Sequence, residues 1–305
     1  MNSNDSNDVK NRGEILFLYD VVNGNPNGDP IDENKPRIDE ETGINIVTDV
    51  RLKRTIRDYL HNYKGEEIFI LEIRDEGGKS ENKKEKEEEL LKEYIDVRLF
   101  GVTNAFKDNV ITLTGPVQFK FGRSLHKVNM QYIKGTTVIP SKEGKKQGTF
   151  TEKYILPYSL IAFYGVVNEI AAEKQKIPLT KSDVEDMLDA MWNGTKNLMS
   201  TSKMEQIPRL LVYIEHKEKY YHIGELDKRI KLVSDKNDEE IRDTSDYKLD
   251  ITELINAIKN RKDKISKVKY IFDERTEFVK EGSLIDIKKA LNEVLSDDCM
   301  EELQF

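Results

Sequence analysis

Apolar, β-rich runs alternate with amphipathic segments in the order strand, helix, strands, strand, helix, strand. That order predicts an α+β fold of the ferredoxin-like (RRM-type) βαββαβ class, with large insertions between elements. Three observations carry it. Glu14–Val22 (EILFLYDVV) is apolar and closed by turn residues, the pattern of a buried strand. In residues 49–61 (DVRLKRTIRDYLH), Leu52, Ile56, Tyr59 and Leu60 share one helical arc, and Arg51, Lys53, Arg54 and Arg57 fall on the opposite one. The capping box Thr180-Lys181-Ser182-Asp183 opens a second helix carrying Met187, Leu188, Met191 and Trp192, and PRLLVYIEH (Pro208–His216) follows as another buried strand.

The remaining elements follow in chain order. Residues 1–13 are polar and read as a flexible arm. Residues 23–47 hold three prolines and no clean period, so a long loop is expected. Thr48 or Asp49 supplies the cap of the first helix. Glu66–Arg74 reads as a short strand, and residues 75–89 (DEGGKSENKKEKEEE) as a solvated charge run entering a helix. Val97–Phe100, Val110–Leu113 and Val117–Phe121 are strand-like pieces. Residues 123–153 are basic, with Arg123, His126, Lys127, Lys134, Lys142, Lys145, Lys146 and Lys153 against Glu143 and Glu152. They are punctuated by Gly135, Pro140, Gly144 and Gly148 and read as a hairpin-like excursion. Leu156–Ile170 is a strand. Residues 217–305 form a charged region with two helices, near 250–262 and 284–296, the second capped from Ser283–Asp286, packing on the domain of residues 14–216.

The chain has 305 residues, enough for one large domain with insertions or for two. Its one cysteine, Cys299, excludes an internal disulfide framework and fits a reducing compartment. The N-terminus lacks an apolar signal core, and no apolar run approaches the roughly 20 residues of a membrane helix. A soluble, cytoplasmic protein without membrane contact is expected. The net charge of −8 argues against a polyanion partner only if the charges are evenly spread, and they are not.

The stretch NGNPNGDP (Asn23–Pro30) sets the functional question. Its Asn-x-Asn-x-Asn-Gly spacing invites a calcium-loop reading, but position twelve is Asn34 rather than Glu and position one is Asn rather than Asp. A rigid Asx/Gly turn exposing amides to phosphates and sugars fits better. The cationic arc at 51–57 lies just beyond it, so loop and helix are expected to border one groove. There is no zinc spacing, nucleophile motif or phosphate-binding glycine loop, and no cofactor or metal is expected. Asp20, Asp29 and Asp32 offer one alternative, a metal-dependent ribonuclease; a second is a scaffold that binds no nucleic acid, its Asn/Gly loop taking calcium and its basic face an acidic protein. The RNP aromatics of common RRM domains are missing, Lys120-Phe121-Gly122 matching only a fragment.

The string FLYDVVNGNPNGDPIDENKPRIDEETGINIVTDVRLKRTIRDYL (Phe17–Leu60) closely resembles CRISPR-associated family seven, the backbone subunit of type I Cascade complexes, in its I-B/I-C (Csh/Csd type) branch. VRLFG at 97–101, GPVQFKFGRSLHKV at 115–128 and GTFTEKYILPYSLIAFYGVVN at 148–168 extend the resemblance over most of residues 14–170. It implies an RRM-like palm with inserted fingers, near 63–95, and a thumb β-hairpin, near 123–153. It implies copies stacked head to tail along a CRISPR guide RNA, next to other Cascade subunits, holding the RNA by its backbone and leaving bases to pair with target DNA. Carried over by position, Asn23, Asn25, Asn27, Thr48, Arg51, Lys53, Arg54, Arg57, Gln118, Arg123, Ser124, His126 and Lys127 would border or contact RNA. Type III relatives cleave RNA with a loop aspartate. Residues 123–153 contain none, so no catalysis is expected.

Overall fold

β1 (Gly13–Gly24) is the spine of the molecule. Its nine consecutive buried residues, Gly13 to Val21, are apolar on both faces except for Glu14 and Asp20, because both faces are covered. Ile15, Phe17, Tyr19 and Val21 join one core, Leu16 and Leu18 the other. The computed structural model describes residues 7–70, 83–106, 109–136 and 150–305.

The elements that matter here are β2 (Ile44–Val47), α1 (Asp49–Tyr59), α2 (Lys83–Glu93), α3 (Ile95–Phe100), β3 (Val117–Phe119), β4 (Gly122–Lys127), β5 (Gln131–Thr136), β6 (Phe150–Val167), α4 (Glu169–Gln175), α5 (Lys181–Lys196), β7 (Gln206–His216), α6 (Thr252–Lys259), β8 (Ile265–Phe272), α7 (Ile287–Asn292) and β9 (Met300–Glu302). One large sheet runs β9-β8-β7-β1-β6-β4-β2, and β3 and β5 also pair with β6. β7, β1, β6 and β4 are neighbours in that order, each pair antiparallel. The fold is mixed α/β. α1 and α5 pack on the Phe17 face through Leu52, Ile56, Leu60, Met187, Leu188 and Met191, each such buried side chain contributing roughly 1.5–3 kcal/mol. The Leu18 face is covered by Leu226, Leu249, Leu254, Ile258 and Leu291 from the C-terminal region. Buried Glu14 ties that region to β1, accepting from Tyr164 Oη (2.7 Å), His216 Nε2 (2.7 Å), Ile223 N (2.6 Å) and Gly224 N (2.7 Å). Burial pushes its carboxyl up, and these hydrogen bonds more than offset that, holding it below the usual range.

Several local expectations need correction. Val97–Phe100 lies in helix α3, not a strand: Ile95, Val97, Leu99 and Phe100 are all buried, and a short run buried all round carries no period. Of Glu66–Arg74, residues 66–68 are irregular, 69–70 are helical and 71–74 lie outside the described residues. Much of the 75–89 charge run and of the basic excursion lies outside them too. The 23–47 loop ends in β2, which pairs with β4 at the sheet edge, and contains a two-residue ladder, Gly28–Asp29 with Lys35–Pro36. The arm is tied down from Asn7: Val9 N donates to Leu179 O (2.9 Å) and Lys181 N to Asn7 O (2.7 Å). Ser283–Ile285 is a short strand, and only Asp286 caps α7.

Candidate functional site

β1 ends where Asn23 turns to a left-handed φ of 48°, a conformation asparagine tolerates better than most residues. The asparagines beyond it are internal braces. Asn25 is buried, its backbone N–H donating to Ser202 O (2.7 Å) and its Nδ2 to Asn34 O (2.7 Å). Asn27 Oδ1 accepts from the backbone N–H (2.8 Å) and hydroxyl (2.9 Å) of Thr48, fixing the start of α1. Lys203 Nζ donates to the carbonyls of Asn25 (2.9 Å) and Pro26 (3.3 Å). With Asn25 and Asn27 so engaged, the loop does not present a calcium ring, and only Asn23 stands exposed.

The loop borders two depressions. The larger, about 770 Å³, has Pro36, Ile38, Ile46, Phe121 and Met130 among its lining, with Thr48, Arg37 and Arg123 beside them. The smaller, about 360 Å³, is lined by Asn23, Asn25, Gln131, Lys153, Tyr154 and Ser202 among others. Phe121 is 52% exposed and Met130 40%.

The α1 cations divide sharply. Arg57 is buried and donates to Asp96 (2.8 Å), its guanidinium over the Phe100 ring. Arg57, expected to contact phosphate, is thus engaged within the protein, where α3 folds over that flank of α1. Asp96 also accepts from Phe69 N (3.0 Å). Lys53 pairs with Asp49 (3.1 Å) and donates to Gln118 Oε1 (3.4 Å), and Arg54 pairs with Asp58 (2.6 Å). Among the described residues the Arg51 side chain donates to the Thr55 hydroxyl (3.2 Å). Thr48 is the N-cap, its Oγ1 accepting from Arg51 N.

On and beside β4 the outcome is mixed. Arg123 lines the larger groove, 55% exposed at its side chain, 3.5 Å from Asp39. Lys127 and Gln118 are exposed. Ser124 and His126, expected to border or contact RNA, are buried. Strand alternation turns both inward, where Ser124 accepts from Asn45 N (2.9 Å) and donates to His126 O (2.7 Å). His126 Nε2 accepts from Leu160 N (3.3 Å), leaving Nδ1 to donate to Lys127 O (2.8 Å), and burial keeps its pKa low.

The three acids of the ribonuclease alternative are not brought together. Asp20 is fully buried on the opposite face of the sheet, bound by Arg209 (2.7 Å) and Tyr158 Oη (2.7 Å). Arg209 reaches it because a bulge opposite Leu18 and Tyr19 lets Arg209 break the alternation of β7. Asp29 and Asp32 line the larger groove, paired with Arg37 (2.6 Å) and Lys35 (2.7 Å). Among the described residues no three His, Cys, Asp or Glu side chains form a metal-binding group.

Comparison with known proteins is decisive on kinship. The profile of the family "CRISPR-associated protein Cas7" matches residues 11–252. The chain belongs to the Cas7 family. A Haloferax volcanii protein described as "CRISPR-associated protein Cas7" is 34% identical over 304 residues, covering 88% of each chain. Among solved structures, a chain of a "CRISPR RNA-guided surveillance complex" superposes with a TM-score of 0.54 at 14% identity, covering 96% of this chain and 95% of that one. A second, from a "CRISPR RNA-guided surveillance complex, pre-nicking", gives 0.56 at 13% identity, covering 96% of each. At such identities the structural likeness speaks to fold alone.

Sequence reasoning missed Lys203, whose signal is one lysine in a polar turn far from the loop it holds. It also missed Phe121 as groove lining; Met130, which the sequence offers with its apolar neighbours in the basic stretch as a residue to wedge between bases or pack on another subunit, lines that groove too. No helix among the described residues is long and apolar enough to cross a membrane.

Proposed function

We propose that this chain is the guide-RNA-binding backbone subunit of a type I CRISPR surveillance complex, of the I-B kind, acting in the cytoplasm without catalysis. Copies stack head to tail on the RNA beside other Cascade subunits. They hold its backbone and leave its bases to pair with target DNA. The observation that carries this reading is the family match across residues 11–252, the stretch that builds β1, the asparagine loop, α1 and both depressions.

The order β7-β1-β6-β4, all antiparallel, with α1 following β1 and α5 following β6, supports a ferredoxin-like, RRM-type palm. The segment near 63–95 corresponds to inserted fingers. The β5–β6 ladder, Gln131–Thr136 against Phe150–Ile155, corresponds to the stem of a thumb. The C-terminal region covers the Leu18 face of the sheet, so RNA is held at the loop and the sheet edge instead of on an open sheet. Backbone recognition suits a protein that must accept any spacer sequence.

The test is an electrophoretic mobility shift with single-stranded RNAs of unrelated sequence, over a salt series, with and without magnesium. Salt-sensitive, sequence-tolerant ladders that lengthen with the RNA, without cleavage, are expected. Magnesium-dependent cleavage lost in Asp29→Asn or Asp32→Asn would replace this reading with the ribonuclease one.

A further inference from the structure

The smaller depression lies between the asparagine loop, with Asn23, Glu33 and Asn34, and the ribbon formed by β5 and β6, with Gln131, Lys153 and Tyr154. β6 passes from one partner to another here. Its pairing with β1 ends at Leu156 opposite Gly24, and its pairing with β5 begins at Ile155 opposite Gln131. From that point the ribbon has two strands, and two strands alone are marginally stable. Its direction is therefore set by what its root touches.

Tyr154 lies at that root. Its Oη donates to Glu33 Oε2 (2.8 Å), joining the two walls of the depression. Lys35 Nζ stands 3.4 Å from Glu33 Oε2 and 5.3 Å from the centre of the Tyr154 ring. Within the ribbon that ring packs on Tyr132, their centroids 5.1 Å apart. The amide of buried Asn25 joins the walls as well, donating to Asn34 O (2.7 Å) and to Tyr154 O (3.5 Å). Glu33 and Asn34 both take left-handed backbone, φ 51° and 57°. At a glutamate, such a conformation persists only where the surroundings hold it. The Tyr154 hydroxyl, ahead of Lys35, keeps the Glu33 carboxyl below its usual range, and Glu33 keeps the phenol above its own. The Glu33 side chain is 66% exposed, so this contact opens without disturbing the core.

We propose that Tyr154 and Glu33 form a clasp that fixes the β5–β6 ribbon against the asparagine loop and so preshapes the smaller depression for single-stranded RNA. Both are positioning residues, acting through the ribbon. The clasp rests on the geometry of the two walls, and its consequence for RNA rests on the guide-RNA reading. Preshaping a site removes an ordering cost from binding without adding a contact.

The experiment places spin labels at Ile31→Cys on the loop and Ile133→Cys on the ribbon, both exposed, in a Cys299→Ser background. The distance distribution between them is measured without RNA by double electron–electron resonance. It should be narrow in the otherwise unchanged protein, broad with Tyr154→Phe or Glu33→Ala, and narrow again with Glu33→Gln, which keeps an acceptor for the phenol. In parallel, binding of a uridine oligonucleotide is followed across a salt series without labels. Tyr154→Phe keeps the ring and should lower affinity about 5-fold. The slope of log affinity on log salt should stay that of wild type, since no phosphate contact is lost. Glu33→Gln should bind within about 2-fold of wild type. A distribution as narrow in Tyr154→Phe as in the parent would overturn the clasp. A broadened distribution with unchanged affinity would overturn its role in RNA binding, and a higher affinity would show that the contact bars the depression instead of shaping it. If wild type binds no RNA, the guide-RNA reading falls, and the distance measurement still decides whether the clasp exists.

Discussion

The two flanks of α1 are made of the same residue types and have opposite fates. On one, Arg57 is sealed against Asp96 under Phe100 and its charge is spent inside the protein. On the other, the Arg51 side chain donates to the Thr55 hydroxyl and forms no ion pair among the described residues. A helical wheel gives both arginines the same cationic arc. The difference lies in what the rest of the chain brings to each flank: a segment with an acid on one side, and on the other no carboxylate paired with Arg51 among the described residues. Positive charge in a sequence therefore marks a binding surface only where tertiary structure leaves it uncompensated.

The largest expected effect breaks the first flank. Arg57→Met leaves the Asp96 side chain buried without its cation, with Phe69 N still donating to it, which should cost about 3–5 kcal/mol in denaturant unfolding. The double change Arg57→Met with Asp96→Leu should recover much of that, since an apolar pair replaces a buried ion pair at little loss. RNA affinity of the folded fraction should stay near wild type. A large loss of affinity in a fully folded Arg57→Met protein would show that both flanks face RNA and would end the comparison.

A smaller effect, read through pH, concerns Lys203, the brace of the loop that fixes the start of α1. The folded protein releases the Lys203 proton near pH 8, whereas the unfolded chain holds it to about the ordinary 10.5. Between those values the unfolded state binds more protons, so this group's contribution to stability rises with pH across that window. The cost of burying the charge is fully present below it. In denaturant unfolding from about pH 7 to 9.5, Lys203→Gln should flatten that rise. A rise of wild-type size in Lys203→Gln would mean that another group produces it.

How much of this was legible follows from where each partner lies. The sheet strands were readable because burial on both faces gives unbroken apolar runs such as Ile15–Tyr19 and Leu210–Ile214. Residues 95–100 were not, because a short run buried on all sides gives helix and strand the same pattern. The family resemblance located the loop, α1 and β4 as one region, and the geometry of the loop and of the larger groove assembles parts of all three. It could not tell Arg123, which lines that groove, from Ser124 and His126, which β4 turns inward: alternation is visible in the sequence, but which face is covered depends on the C-terminal region and Asn45. Lys203 was invisible because its role as a brace comes from two carbonyls contributed by a distant segment.

The smallest effect belongs to Lys53, which stands next to the buried flank and tests where the boundary between the two flanks runs. Its side chain is 12% exposed, paired with Asp49, within reach of Gln118 and over the Phe100 ring. Its charge is mostly answered within the protein, and an exchange of Asp49 for a phosphate would return little net energy, since partly exposed ion pairs are worth about 0–1 kcal/mol. Lys53→Gln should therefore weaken RNA binding by no more than about 2-fold and leave the salt slope within error of wild type. A salt slope shallower by about 0.7 in Lys53→Gln would mean that RNA displaces Asp49 and that the phosphate track crosses α1 towards Gln118. The boundary would then lie between Lys53 and Arg57, one helical turn further along α1.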